Sequence, residues 1–147
     1  MTKKSIFIDT GVLVAAATYK APFHLQCIGA LGQVEAAHEG AWISRQVVRE
    51  LLATLSRPQV WGASFDGALL AAYVQRLLEI YRIAEEDANA SQRLLAYVKD
   101  GRALGKQVHD AAIASTMLSH GIKRILTLNT GHFERFRPDI TVEAPEN

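Results

Sequence analysis

The sequence predicts an α/β fold, a three-layer α/β/α sandwich around a short, mainly parallel central sheet. Short apolar runs of three to five residues recur along the chain, each compact enough to be a strand buried on both faces. Longer stretches with helical periodicity separate them, and that alternation is expected when helices cover both faces of a parallel sheet. Right-handed crossovers then leave few topologies open.

Ser5-Ile6-Phe7-Ile8 reads as the first strand, ending at Asp9-Thr10-Gly11, which suits a turn as well as a cap. A mostly helical stretch covers residues 23–34. Ala41-Trp42-Ile43 is a second strand, and Ser44 is placed to cap the helix after it. Val47, Val48, Leu51, Leu52 and Leu55 give that helix an apolar stripe, and Pro58 stops it. Residues 66–81 read as a long amphipathic helix with Leu69, Leu70, Tyr73, Leu77 and Leu78 on its buried side. Arg82-Ile83-Ala84 is a third short strand, and Asp87 or Asn89 opens a helix through Leu94, Leu95 and Val98. Residues 107–120 form another helix, closed by Gly121 as a left-handed cap. A strand over residues 124–128 ends at Asn129-Thr130-Gly131, and Ile140-Thr141-Val142 is the last strand. Breaks near residues 58–64 and 99–105 read as turns inside one domain. With no repeat or low-complexity tract, residues 1–147 are expected to form a single domain.

The chain is 49% hydrophobic and 21% charged, which supplies a packed core and excludes overall disorder. Sixteen Lys and Arg against fifteen Asp and Glu leave a net charge of +1, so any phosphate contact needs a local patch. The single cysteine, Cys27, excludes an intramolecular disulfide and a Cys-rich zinc site, and reads as a small buried hydrophobe. Met1-Thr2-Lys3-Lys4 runs straight into the first strand without a signal-peptide pattern, and no apolar run is long enough to span a membrane. A cytoplasmic protein is the expectation.

Ligands of open parallel sheets gather outside the carboxyl ends of the strands, where Asp9 and Asn129 stand. Asp110 lies in Val108-His109-Asp110-Ala111-Ala112-Ile113-Ala114, on the same side of its helix as Ile113, Ala114 and Met117. A carboxylate buried there needs a compensating cation, either a Lys or Arg partner or a metal. Glu50 is not singled out by periodicity. It projects about 130° from the middle of its helix's apolar stripe, as a solvated surface glutamate would.

Four segments occur in order along almost the whole chain: Phe7-Ile8-Asp9-Thr10-Gly11-Val12-Leu13, Ile43-Ser44-Arg45-Gln46-Val47-Val48-Arg49-Glu50-Leu51, the Asp110 segment above, and Ile125-Leu126-Thr127-Leu128-Asn129-Thr130-Gly131-His132-Phe133. Together they resemble the four motifs of the PIN domain and, among PIN domains, those of the VapC toxins of bacterial toxin–antitoxin pairs. The fourth departs from the family's most acidic form: Asn129 stands where many members have aspartate, and His132 where an aspartate often precedes the Phe.

The resemblance implies that Asp9, Glu50 and Asp110 are the catalytic acids and hold Mg²⁺ or Mn²⁺. A hard divalent ion is the natural compensator for converging carboxylates. The implied chemistry is metal-assisted hydrolysis of an RNA phosphodiester, without a covalent enzyme intermediate. Asp9 and Asp110 would be the main ligands, and Glu50 would bind through water or orient the nucleophile. With a neutral amide at 129, one metal is better supported than two. Thr10, Thr127 and Asn129 are expected to hydrogen-bond around the acids. His132 is either a substrate-phosphate contact or an exposed loop histidine, and His109 packs or caps locally. The implied partners are RNA, a small antitoxin whose C-terminal segment lies across the active-site groove, and a second copy in a homodimer. Arg45, Arg49, Lys106, Lys123, Arg124 and Arg135 are candidate phosphate contacts.

Two other readings compete. Haloacid-dehalogenase-like phosphotransferases also place an aspartate after the first strand, but need a second one two residues later, where this chain has Gly11. A PIN-like module that binds RNA or protein without cutting is the non-enzymatic alternative, and the presence of all three acids argues against it.

Overall fold

The computed structural model describes residues 4–61 and 65–146. Residues 62–64 of the expected break, and residues 1–3, lie outside the described residues. Five strands form one parallel sheet in the order β3-β2-β1-β4-β5. They are β1 (Ser5–Ile8), β2 (Gly40–Ser44), β3 (Arg82–Ala84), β4 (Arg124–Leu126) and β5 (Thr141–Glu143). Between β1 and β2 lie α1 (Thr10–Ala17) and α2 (His24–Ala36), and between β2 and β3 lie α3 (Arg45–Leu55), the short α4 (Pro58–Trp61) and α5 (Gly67–Ile80). Helices α6 (Ala88–Lys99) and α7 (Gln107–Ser119) precede β4, and the short α8 (Thr130–Phe133) with a 3-10 turn precedes β5.

The chain steps from β1 through β2 to β3 on one side, then returns across the sheet to β4 and β5 on the other. Helices α1, α2, α3 and α5 pack among themselves, and α6 packs on α7. Right-handed crossovers put these two groups on opposite faces, which gives the expected three layers. The sheet is buried from both sides: Ile6, Phe7, Ile8, Ile43 and Ile125 are all 1% exposed or less.

Several local expectations need correction. Of the turn and the cap that Asp9-Thr10-Gly11 suits, the structure has the cap. Asp9 caps α1, and Thr10 and Gly11 lie inside that helix, which the sequence reading passed over. Strand β4 stops at Leu126, two residues earlier than expected, and Thr127 just beyond it turns its hydroxyl to Asp9. On α5 the inner row is Leu70, Val74 and Leu77, while Leu69 is 56% exposed. Apolar residues occupy more than one side of α5, and packing selects the i, i+4, i+7 row. On α6, Asp87 is the cap, Ala90 and Tyr97 face inward, and Leu95 and Val98 are exposed. Ser44 caps α3, Gly121 follows α7 with a φ of 72°, and Cys27 is buried, all as expected.

Candidate functional site

The strand order reverses between β1 and β4, so the crevice of this sheet opens where their carboxyl ends diverge. Asp9 sits at that point. Its backbone N–H still donates to Leu126 O at 3.0 Å, while its side chain has left the ladder. Oδ1 accepts from the Thr10 N–H at 2.9 Å, capping α1, and Oδ2 accepts from Thr127 Oγ1 at 2.7 Å. Thr127 Oγ1 in turn accepts from the Asn129 N–H at 2.9 Å. The hydroxyl is therefore held from both sides, and the Asp9 carboxylate has a fixed orientation. Only 6% of Asp9 is exposed.

Glu50 projects from the polar side of α3. Its carboxylate accepts from Thr10 Oγ1 at 3.2 Å and from Gln46 Nε2 at 2.8 Å. The periodicity that marked it as a surface residue was right about its exposure but silent about this contact with α1. Gln46 also donates to the His109 carbonyl at 3.1 Å, tying α3 to the start of α7. Sequence reasoning missed Gln46. The available signal was an amide four residues before an acid on one helix, a spacing that puts the two side chains in reach.

Asp110 lies in the first turn of α7, with 28% of its side chain exposed. Among the described residues it makes no salt bridge to Lys or Arg. His132 approaches it, with Nδ1 3.6 Å from Oδ2, beyond hydrogen-bond range. His132 itself is exposed on α8. His109 is exposed, and its carbonyl accepts from Gln46. Asn129 is exposed at the start of α8, and its side chain makes no capping hydrogen bond.

Electrostatically the three acids sit within one another's field. Burial pushes the Asp9 carboxyl above its ordinary value. The Thr127 and Thr10 hydrogen bonds oppose this, and the charges of Glu50 and Asp110 add to it. Burial also pushes Asp110 up, with His132 and Arg135 pulling down and Glu50 pushing up. Among the described residues no Lys or Arg pairs with any of the three acids. Such an arrangement costs free energy unless a cation joins it.

The donor chemistry suits a hard divalent cation, since the groups hydrogen-bonded to Asp9 and Glu50 are threonine hydroxyls apart from the Thr10 N–H and the Gln46 amide. As the side chains lie, no three acids, histidines or cysteines among the described residues are gathered tightly enough to ligate one ion. The Asp9 oxygens accept hydrogen bonds from Thr10 and Thr127, and the Glu50 oxygens from Thr10 and Gln46. An ion would have to draw Glu50 and Asp110 inward.

The basic candidates separate into two groups. Arg45 is paired with Glu85 at 2.6 Å, and Arg124 with Glu143 at 2.6 Å and Glu39 at 3.2 Å, so these cations are already committed. Arg49, Lys106 and Lys123 are exposed and have no ion pair among the described residues. Arg135 is half-buried beside the acids, and its buried Nε has no hydrogen-bond partner. A separate apolar groove of about 720 Å³, lined by residues including Ala17, Tyr19, Leu55, Val60 and Tyr73, contains none of the three acids.

The profile of the PIN domain matches residues 6–137. The chain belongs to the PIN domain family. Solved structures agree with this assignment. A toxin–antitoxin complex from Klebsiella pneumoniae superposes with a TM-score of 0.69 at 19% identity, covering 97% of this chain and 99% of that one. VapBC2 from Rickettsia felis, bound to a DNA fragment from its promoter, gives 0.67 at 19%, covering 96% and 98%. Mycobacterium tuberculosis VapC20, a toxin that cleaves the sarcin–ricin loop, gives 0.60 at 20%, covering 82% and 87%. At these identities the likeness is one of fold. No curated protein sequence matches the chain significantly. Among the described residues no helix is long and apolar enough to cross a membrane.

Proposed function

We propose that this PIN domain chain is a metal-dependent endoribonuclease and the toxin of a toxin–antitoxin pair, with residues 1–147 acting as one domain. One observation carries the reading: the charges of Asp9, Glu50 and Asp110, from three separate elements, act on one another beside the strand-order reversal, without a Lys or Arg ion pair among the described residues.

Each residue then has a role its surroundings support. Asp9, oriented by Thr127 and the α1 cap, and Asp110, on the facing helix, would hold Mg²⁺ or Mn²⁺. Such an ion, when bound, would supply Lewis acidity at the scissile phosphate and acidify water near neutral pH. Glu50, braced by Gln46 and Thr10, would orient the attacking water and accept its proton. Thr127 and the Asn129 backbone keep the Asp9 carboxylate from rotating away. Arg49, Lys106 and Arg135 are the cations best placed along the chain to meet RNA phosphates. The toxin–antitoxin structures of similar fold support an antitoxin as protein partner. A homodimer and a cytoplasmic location complete the proposal.

The test is cleavage of total RNA by purified protein with Mg²⁺, with Mn²⁺ and with chelator, beside folded Asp9→Asn and Asp110→Asn variants. Metal-dependent cutting lost in both variants supports the nuclease. Equal cutting by wild type and variants rejects this site, and no cutting by folded, antitoxin-free protein favours the non-catalytic binding module.

A further inference from the structure

We propose that Arg102 is a positioning residue: its clasp on Asp100, Asp139 and Tyr97 fixes the loop between α6 and α7, and that loop sets where the first turn of α7 holds Asp110. The consequence for cleavage rests on the nuclease reading above, whereas the consequence for α7 rests on the fold alone.

The clasp joins the loop to both of its neighbours. Arg102 Nε donates to Asp100 Oδ2 at 3.0 Å, and Nη2 pairs with the same oxygen at 2.9 Å. Nη1 reaches Asp139 Oδ2 at 3.3 Å, and that oxygen also accepts from the Tyr97 hydroxyl at 2.9 Å. The guanidinium lies over the Tyr97 ring, 4.6 Å from its centroid. Tyr97 is buried on α6 and packs on Phe136, which in turn meets Phe133 of α8. One planar group thus ties the loop to α6 and to the segment between α8 and β5.

Any movement of the loop passes directly into α7. Gly101 and Gly105, with φ of 83° and 58°, bend the loop, and Ala103 between them is 1% exposed. The Gln107 N–H donates to Leu104 O at 3.1 Å, the Val108 N–H to Gly105 O at 3.1 Å, and the His109 N–H to Lys106 O at 3.2 Å. The Gln107 side chain accepts in return from the Leu104 N–H at 3.1 Å. Loop and helix therefore share one hydrogen-bonded turn. Asp110 follows at once, and the His109 carbonyl before it holds Gln46.

Stability does not account for the cluster. The side chains of Arg102, Asp100 and Asp139 are 35%, 44% and 42% exposed, and ion pairs this open add little to folding free energy. What a planar fork with several acceptors supplies is orientation.

The experiment compares the full chain with its Arg102→Gln, Arg102→Lys and Asp139→Ala variants and, from the other ion-pair cluster, Arg124→Gln, each checked for folding by its melting. A short RNA spanning a site that wild type cuts in total RNA gives kcat and KM with Mn²⁺. Labelled-histidine NMR of the metal-free chain reads the rings of His109, beside Asp110 on α7, and His132, across from it on α8. We expect Arg102→Gln to lower kcat about five- to tenfold with KM within about twofold, because small misplacements far from the chemistry are costly. Arg102→Lys keeps the charge but loses the fork, so its kcat should stay within about twofold of that of Arg102→Gln. Both ring signals should shift in Arg102→Gln and Asp139→Ala, and neither in Arg124→Gln. Unchanged kcat and unmoved rings in Arg102→Gln overturn the proposal while the nuclease reading stands, and an Arg124→Gln variant that loses as much kcat overturns it too. A rise in KM alone that Arg102→Lys restores makes Arg102 an RNA contact instead, which also overturns it. If wild type cuts no RNA but the rings shift in the clasp variants alone, the nuclease reading falls and the clasp stands.

Discussion

Two charged clusters flank the three-residue strand β4, and they are built on opposite principles. Arg124, its first residue, extends between Glu39 and Glu143, so each half-buried charge meets its opposite. The Glu143 carboxylate, through its hydrogen bond, holds the Arg124 guanidinium above its ordinary value. Just beyond the last residue of β4, Thr127 points at Asp9, which shares its field with Glu50 and Asp110. There like charges meet and burial works against them. The first cluster pairs its charges, and the second holds a repulsion that a bound cation or protonation would relieve. Paired charges suit structure, and unpaired ones suit the site proposed above.

The largest expected effect lies at the unpaired cluster. Asp9→Asn should lower RNA cleavage by more than about a hundredfold while raising the melting temperature of the metal-free protein, roughly 2–4 °C for each kcal/mol of repulsion relieved. A variant that cuts normally, or that melts well below wild type, would make Asp9 a structural cap instead. At the paired cluster the signs reverse. Arg124→Gln should cost about 1–2 kcal/mol of stability, discounted for its partial exposure, and leave cleavage within about twofold. Chemical denaturation and the RNA assay check the two halves, and a large activity loss without destabilisation would erase the contrast.

Gln46→Ala should act between the two. Losing its contacts to Glu50 and His109 O should lower cleavage about three- to tenfold and cost under about 1 kcal/mol. An unaltered turnover would show that Glu50 needs no bracing.

The smallest effect is a pH dependence. The folded-state carboxyl of Asp9 lies above its ordinary 3.8, so between those values the folded protein holds a proton that the unfolded chain has lost. Asp9 therefore penalises metal-free stability above its folded value. The penalty fades as pH falls through that value and is gone below 3.8. Asp110 acts in the same direction. Glu85, Asp87 and Asp100, all held below the ordinary range by hydrogen bonds, contribute the opposite slope. The difference between wild type and Asp9→Asn isolates the first term: the stability advantage of the variant should shrink on acidification. An advantage that grows instead would mean the sign is wrong.

Much of the fold was legible because its signals are local. Ser44, Asp87 and Gly121 each mark a helix end with the hydrogen bond or backbone angle that their chemistry favours. Helix α1 was missed because Val12 to Ala17 are apolar on every side and leave no stripe to read. Leu69 was misplaced on α5 for the related reason that its apolar residues outnumber the positions one face can bury. At the site, Asp9 followed from strand-end logic and Asp110 from the cost of a carboxylate on an apolar helix. Glu50 and Gln46 could not emerge that way. Their contacts with Thr10 and His109 cross about 40 and 63 residues of sequence, and only the assembled fold creates them. For Glu50 the family resemblance pointed to a role that periodicity could not suggest.

Thermal unfolding of the metal-free chain, with and without saturating Mn²⁺, tests most directly whether the unpaired acids are a cation site. Wild type should melt higher once the ion is added, whereas Asp9→Asn should start higher and respond little. Wild type indifferent to the ion, with Asp9→Asn melting at the same temperature, would contradict the assignment.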